Sequence, residues 1–217
     1  MPSVRSMLYG VSKKILALTL AVGLVGWAIP ARSADTGSAQ TIKNLNAALN
    51  GERNAHAKYL AFAQKADEEG YGAVASLFRA AAAAEEVHGN NHEKAMRTLG
   101  GNPDVKVETP LVGSTRENLE AAISGESYEY KSMYPEFVNK ARQGPFVPAI
   151  VTFEEALRTE QAHAKLYEQA LRDLDKLKGS GPRTYYVCSV CGYTVTELNF
   201  AKCPNCLKPK DRYRSVS

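Results

Sequence analysis

Apolar and polar positions follow a helical spacing over most of this chain. From about Thr41 to Glu69, Leu45, Leu49, Ala55, Tyr59 and Phe62 recur at threes and fours, the period that lines one face of a helix. Gly70-Tyr71-Gly72 interrupts the pattern. A second helix is predicted from about Ala73 to Leu99, stopped by Gly100-Gly101. Residues 100–114 contain Pro103 and Pro110 and read as a long connection. Ser114-x-x-Glu117 has capping-box spacing and should start a third helix, which Pro135 is expected to kink. Gly144-Pro145 and Pro148 mark a turn before a fourth helix, from about Pro148 to Lys178. Gly179-Ser180-Gly181-Pro182 opens a linker at 179–183, and residues 184–217 form a short segment rich in Tyr. Two short connections and one long one predict a mainly α protein, a four-helix bundle over 35–178 with a single crossover. A simple up-down-up-down bundle would not need fifteen residues between its second and third helices.

The pattern also repeats. Asn44-Leu45-x-Ala47-Ala48-Leu49-x-Gly51-Glu52 matches Asn118-Leu119-x-Ala121-Ala122-Ile123-x-Gly125-Glu126 at an offset of 74. Phe78-x-x-Ala81-x-x-x-Glu85-x-x-His88 matches Phe153-x-x-Ala156-x-x-x-Glu160-x-x-His163 at an offset of 75. Helices one and two therefore read as a copy of helices three and four, and the shared positions include acids and imidazoles as well as core residues.

Those shared positions carry chemistry. Each copy supplies one Glu and one Glu-x-x-His, and residues three apart share a helix face. Glu52, Glu85, Glu126 and Glu160 thus fall on core-facing stripes with His88 and His163. Buried carboxylates are costly unless neutralised, and four converging ones call for cations. Ordinary solvent-facing acids would not be duplicated together with their histidines. The donor set is the established pattern of ferritin-like di-iron carboxylate proteins, and the reading is a match to it. Glu129, three residues after Glu126, is a seventh candidate ligand, with Ala55 at its counterpart. Tyr59 and Tyr134, two turns beyond Glu52 and Glu126, are candidate catalytic neighbours of the metals. His56 and His92 are expected outside the ligand set.

All four cysteines, Cys188, Cys191, Cys203 and Cys206, lie in two C-x-x-C knuckles eleven residues apart. That spacing suits one tetrahedral metal ion, iron or zinc, rather than disulfides. Spacing does not choose between the two metals. A 35-residue segment is too small to fold without such a clip.

Charge alters the picture at the N-terminus. The formal charge is +4, but Arg5, Lys13, Lys14 and Arg32 stand in a first stretch of 34 residues without acids, so the remainder is neutral. Nucleic acid is therefore not an expected partner. The basic residues precede an apolar run from Ile15 to Ile29, which is 15 residues long and short of the roughly 20 that span a bilayer. Small residues follow it. Residues 1–34 read as a cleaved export signal, with a periplasmic location and no lasting membrane span.

Together, Gly51-Glu52, Glu85-x-x-His88, Gly125-Glu126-x-x-Glu129, Met133-Tyr134-Pro135, Glu160-x-x-His163, Cys-x-x-Cys-Gly-Tyr and Cys-Pro-x-Cys resemble the rubrerythrin family over residues 41–217. The resemblance implies a ferritin-like bundle holding two non-haem irons and a small C-terminal rubredoxin-like domain holding one Fe(Cys)4 centre. It implies reduction of hydrogen peroxide to water, with electrons relayed from the cysteine-bound iron and supplied by a donor protein. Glu129 would be the family's extra glutamate, which exchanges with a histidine, here His88, as the redox state changes. An export signal is unusual for the family and puts the usual donor in doubt. The short linker suggests that the tail serves a neighbouring bundle in a homodimer. The rival readings are a ferroxidase or iron store, which needs no cysteine tail, and a zinc-binding scaffold.

Overall fold

The structure, a computed structural model, describes residues 32–217. The expected export signal lies outside the described residues except for its last three, which open the first helix. Among the described residues, no helix is long and apolar enough to cross a membrane.

Four long helical segments form the bundle. They are α1 (Arg32–Glu68), α2 (Gly72–Thr98), a third segment built from α3 (Thr115–Tyr128), a π-helical turn (Glu129–Met133) and α4 (Tyr134–Ala141), and α5 (Val147–Arg172). A short α6 (Leu174–Leu177) follows. α1 begins nine residues before the expected Thr41, because Arg32–Gln40 is small and polar and offers no apolar repeat. Gly70, at φ 76°, closes α1 in the left-handed conformation, and the Tyr71 amide donates back to the Ala66 carbonyl. The predicted capping box is present at α3: Ser114 and Glu117 satisfy each other's backbone amides. The Glu69 carboxylate also accepts from the Thr115 amide at 2.9 Å.

The kink expected at Pro135 is a widened turn just ahead of it. The Tyr134 amide donates to the Glu129 carbonyl, five residues back. In an unbroken α-helix the Pro135 ring would collide with the carbonyl four residues earlier, and the wide turn relieves that collision.

The crossover is held by a ladder of asparagines. Asn46, Asn50 and Asn54 stand one turn apart on α1. Their side chains donate to the carbonyls of Asp104 and Lys106 and accept from the amides of Asp104, Lys106 and Glu108, with distances of 2.6–3.2 Å. Four helical residues advance about 6 Å and two extended residues about 6.6 Å, so helix and extended chain stay in step.

Two apolar clusters fill the bundle. One gathers Tyr59, Phe62, Phe78, Leu119 and Tyr167, with ring centroids 5.2–6.2 Å apart. The other gathers Leu45, Leu49, Met96, Tyr134 and Phe153. Each fully buried side chain of this size contributes about 1.5–3 kcal/mol. On every helix the predicted acids and histidines fall between the two clusters.

The C-terminal domain is a three-stranded antiparallel sheet in the order β2-β1-β3, where β1 is Tyr185–Cys188, β2 Thr194–Val195 and β3 Tyr213–Val216. The linker is not a free tether. The Gly179 amide donates to the Gly70 carbonyl at 2.8 Å, and the Gly72 amide to the Ser180 carbonyl at 3.1 Å. A Cβ on Gly72 would lie 2.7 Å from that carbonyl oxygen, so only glycine permits this approach. Pinned in this way, the cysteine domain packs on its own chain's bundle. The short linker therefore does not by itself require a neighbouring bundle, and the expected homodimer does not follow from it.

Candidate metal centre

Glu52 on α1, Glu85 and His88 on α2, Glu126 on α3, and Glu160 and His163 on α5 converge between the two apolar clusters, each at most 1% exposed. Their donor atoms form two overlapping sets: Glu52, Glu85, His88 and Glu160, and Glu85, Glu126, Glu160 and His163. Within each set the atoms lie within 4.8 Å of one another. Glu85 and Glu160 belong to both. His88 Nδ1 is 2.9 Å from Glu85 Oε2 and 2.8 Å from Glu160 Oε1. His163 Nδ1 is 3.0 Å from Glu160 Oε2 and 3.5 Å from Glu85 Oε1. Each shared carboxylate therefore turns one oxygen to each histidine, the geometry of two bridging ligands.

The donor atoms face common points more than they face each other. Both oxygens of Glu160, Oε2 of Glu52 and of Glu126, Oε1 of Glu85 and His163 Nδ1 are buried and make no hydrogen bond. Burial, and then the neighbouring acids Glu129, Glu85 and Glu160, hold the Glu52 carboxyl well above the usual range. Burial and Glu160 raise Glu126 to about 8. Burial opposes ionisation of Glu85 as well, but the His163 and His88 imidazoles beside it outweigh that and hold Glu85 at about 2. For both histidines burial favours the neutral ring, and the carboxylates, Glu160 for His88 and Glu126 for His163, overcome it and raise their pKa well above the usual value. Without cations the site must take up protons to limit repulsion; two divalent ions would do the same work and satisfy the orphaned oxygens. The residues fit a pair of metal ions.

A second layer orients the donors. Tyr59 OH donates to Glu126 Oε1 at 2.7 Å, and Tyr134 OH donates to Glu52 Oε1. Each tyrosine thus serves the glutamate of the other copy. Burial, and then Glu126 for Tyr59 and Glu52 for Tyr134, raise both phenols well above their usual range, so both stay protonated donors. His92 is buried, with Nε2 2.9 Å from Tyr134 OH and Nδ1 3.0 Å from Thr152 Oγ1. Burial and His88 lower it to about 3; it is a neutral link outside the ligand sets. His56 Nδ1 bonds the Ala82 carbonyl at 2.8 Å and is likewise not a ligand.

Glu129 departs from expectation. It lies outside both donor sets, with its Oε1 3.8 Å from where a Gly51 Cβ would stand. Its own amide still bonds the Gly125 carbonyl, so its backbone keeps α-helical register with Glu126 and the widening comes only beyond it. Burial and Glu126 keep its carboxyl well above the usual range.

The four cysteines meet as a second centre. Sγ atoms are 3.8 Å apart for Cys188 and Cys206, and 3.7 Å for Cys191 and Cys203. A tetrahedron with metal–sulfur bonds of about 2.3 Å has edges of about 3.8 Å, whereas a disulfide needs about 2.05 Å. The thiols are free, and the cluster fits one tetrahedral ion.

The two centres touch. His88 Nε2 lies 3.1 Å from the Cys191 carbonyl, and His163 Nε2 lies 3.1 Å from Thr194 Oγ1. Thr194 donates its own hydroxyl proton to the Gly192 carbonyl, so it accepts from His163. Both imidazoles therefore carry their proton on Nε2 and turn Nδ1 to the carboxylates, a back-side bond that fixes ring orientation. Gly192, at φ 76°, has no room for a side chain: its Cβ would stand 2.4 Å from His88 Nε2. Sequence reasoning missed Thr194, Gly192 and the Cys191 carbonyl. The only signal was Gly192 following the first knuckle.

The rubrerythrin family profile matches residues 43–171, well over half of the chain. The chain belongs to the rubrerythrin family. Nigerythrin of Nitratidesulfovibrio vulgaris is 38% identical over 82% of this chain and 87% of its own length. Rubrerythrin-2 of Clostridium acetobutylicum is 34% identical over 82% and 97%. A fully reduced, all-ferrous structure of nigerythrin aligns with a TM-score of 0.74 over 81% of this chain and 86% of its own. Bacterioferritin of Desulfovibrio desulfuricans, 23% identical with a TM-score of 0.63, shares the fold. The Glu/His cluster corresponds to the di-iron site of rubrerythrins, and the four-cysteine cluster to their iron knuckle.

Proposed function

We propose that this protein reduces hydrogen peroxide to water, with Glu52, Glu85, His88, Glu126, Glu160 and His163 as ligands of two irons and Cys188, Cys191, Cys203 and Cys206 as ligands of a third. Two ferrous ions so held would supply the two electrons that O–O cleavage needs, and iron in the cysteine site would supply the electrons that restore them. The chain's own groups do the rest. Glu85 and Glu160 face both metal positions and hold them together. Glu129, held protonated beside Glu126, is placed to give up a proton as charge develops. Tyr59 and Tyr134 stay protonated and fix the terminal carboxylates. The second proton comes through the chain Thr152, His92, Tyr134 and Glu52, whose members lie within hydrogen-bond reach of one another. Exchange of Glu129 with His88 as ligand fits this arrangement, in which His88 is turned in and Glu129 stands off.

The single observation that carries this reading is the hydrogen bond from His88 to the Cys191 carbonyl. It joins the knuckle to the bundle cluster through one side chain, a connection that an iron store or ferroxidase does not need. The test is anaerobic reduction followed by one equivalent of peroxide, with both iron chromophores followed. Oxidation of the bundle irons and then of the knuckle iron supports the proposal. Fast oxidation by oxygen with a sluggish response to peroxide would favour a ferroxidase, and zinc in every site would favour a scaffold. The basic and apolar N-terminal run supports an exported protein; N-terminal sequencing of protein from cells would show whether residues 1–34 are removed.

A further inference from the structure

The C-terminal domain is rich in tyrosine, with Tyr185, Tyr186, Tyr193 and Tyr213 in residues 183–217, and the proposed chemistry leaves all of them unused. One of them reaches the cysteine cluster through its hydroxyl. Tyr213 OH donates to Cys203 Sγ at 3.1 Å. Among the described residues it is the only side-chain hydroxyl bonded to a cysteine sulfur.

Backbone and ring both hold it there. Tyr213 opens β3 and pairs with Cys188 of β1. Just before it, the Arg212 carbonyl accepts from the Ser189 amide at 2.8 Å. The backbone of Tyr213 is thus tied to the first knuckle, while its hydroxyl crosses to a sulfur of the second. Its ring packs on Phe200, with centroids 5.3 Å apart and planes inclined at 55°. Phenylalanine would supply the same ring contact, so packing does not account for the hydroxyl. Cys203 is fully buried, so bulk water does not compete for its sulfur, and a hydrogen bond made there is strengthened by the low local dielectric.

The direction of its effect follows from charge. Thiolates that hold a metal ion are deprotonated and only accept hydrogen bonds. Reduction of a bound ferric ion to ferrous adds one negative charge to the cluster, and the sulfurs share it. A donor aimed at sulfur therefore stabilises the ferrous state more than the ferric one, and hydrogen bonds to sulfur are one of the levers that set the potentials of such centres.

We propose that Tyr213 is a positioning residue that raises the reduction potential of iron in the cysteine site, acting through the hydrogen bond from its hydroxyl to Cys203. The electron passes from a one-electron reductant to the ferric ion. The O–H bond of Tyr213 stays intact, and no other bond forms or breaks. The inference rests on iron in the four-cysteine site and takes from the peroxidase reading only the later use of the electron: a raised potential keeps the knuckle iron ferrous between turnovers.

The test is a redox titration of the full chain loaded with iron, without peroxide, with dithionite and mediators setting the potential and the knuckle's visible band as the readout. Tyr213→Phe removes the hydroxyl and keeps the ring. At the potential where the wild-type knuckle is half reduced, the ferrous-to-ferric ratio of this variant should be lower by at least about threefold; a tenfold change corresponds to about 59 mV for one electron. Its visible band, a sulfur-to-iron charge transfer, should move to longer wavelength, because the sulfur has lost a stabilising donor. Phe200→Leu loosens the ring but keeps the hydroxyl, and its ratio should stay near that of wild type. If Tyr213→Phe does not retain iron, 3-fluorotyrosine at position 213, a stronger donor of nearly the same shape, should shift the ratio toward ferrous at pH 6. An unchanged or higher ratio in Tyr213→Phe, an equal fall in Phe200→Leu, or no shift with fluorotyrosine would overturn the proposal. Failure of the reduced wild-type protein to react with peroxide would instead count against the peroxidase reading, leaving the difference in potential intact.

Discussion

The two halves of the bundle descend from one pattern, yet they are not equivalent at the site. Glu52, Tyr59, Glu85 and His88 in the first half face Glu126, Tyr134, Glu160 and His163 in the second, and each tyrosine reaches across to the other half's glutamate. The difference is one residue. Tyr59 follows Glu52 by seven positions, whereas Tyr134 follows Glu126 by eight. The π-helical turn at Glu129–Met133 absorbs the extra position and returns Tyr134 to the face from which it meets Glu52. The shift of the repeat from an offset of 74 to one of 75 is the same residue seen in the sequence. The second half also carries Glu129 where the first has Ala55, and Tyr167 where the first has His92. Ligand geometry is thus kept symmetric while acid–base groups differ, and π turns of this kind are common at functional sites.

Removing the difference should have the largest effect. Deleting the exposed Ser132 would return the third helix to α-helical winding and rotate Tyr134 by about 100° relative to Glu126. Bundle iron should be lost or disordered and peroxide turnover should fall by at least about 100-fold, as expected for a misplaced reacting group. Turnover and iron content near wild type would show that the extra residue is dispensable. Next comes Glu129→Ala, which makes the second half resemble the first. Both bundle irons should remain while peroxide turnover slows by about 100-fold, the low end for loss of an acid–base group. Loss of iron would instead recast Glu129 as an essential ligand.

The tyrosines sharpen the same comparison at smaller scale. Tyr134→Phe strips a partner from both Glu52 and His92, whereas Tyr59→Phe strips one from Glu126 alone. Each should destabilise the protein by about 1–3 kcal/mol, Tyr134→Phe by more, as read from denaturant unfolding. Equal losses would show that His92 contributes nothing through Tyr134.

The least intrusive probe is pH. Glu126 and Glu52 have folded-state pKa values above their unfolded ones, and so do His88 and His163. The metal-free chain therefore holds extra protons when folded. That stability is present below about pH 4.5 for the glutamates and is lost as pH rises through their folded values, about 8 for Glu126. The histidine contribution is lost in the same direction, above about pH 6.5. Metal-free Tm should fall from pH 5 to pH 8 by about 5 °C or more, while metal-loaded protein should change little. A metal-free Tm that rises over this interval would contradict the electrostatics described here.

Much of this architecture is legible in the sequence alone. The six donors can be read because duplication displays the same Glu and Glu-x-x-His twice, and the knuckles because thiols at that spacing serve few purposes. The capping box at Ser114 and the crossover are marked by local chemistry. What escapes depends on contacts remote in sequence. Thr194 matters only because β2 lies under His163. Asn46, Asn50 and Asn54 become a ladder only once an extended segment lies beside α1. The linker reads as free because Gly and Ser signal flexibility, yet Gly72 and Ser180 use their small size to pack closely. Glu129 sits on the right face by α-helical counting and its backbone keeps that register, yet its carboxylate stands beside Gly51, outside both donor sets.

The central claim is that both halves close on two irons, joined by His88 to a third in the cysteine knuckle. The most direct measurement is a crystal structure of the reduced, iron-loaded protein with anomalous scattering recorded at the iron edge. The expected result is two peaks bridged by Glu85 and Glu160, a third among the four cysteines, and the His88 bond to the Cys191 carbonyl intact. Iron absent from the bundle, or a knuckle displaced so that His88 faces solvent, would contradict it.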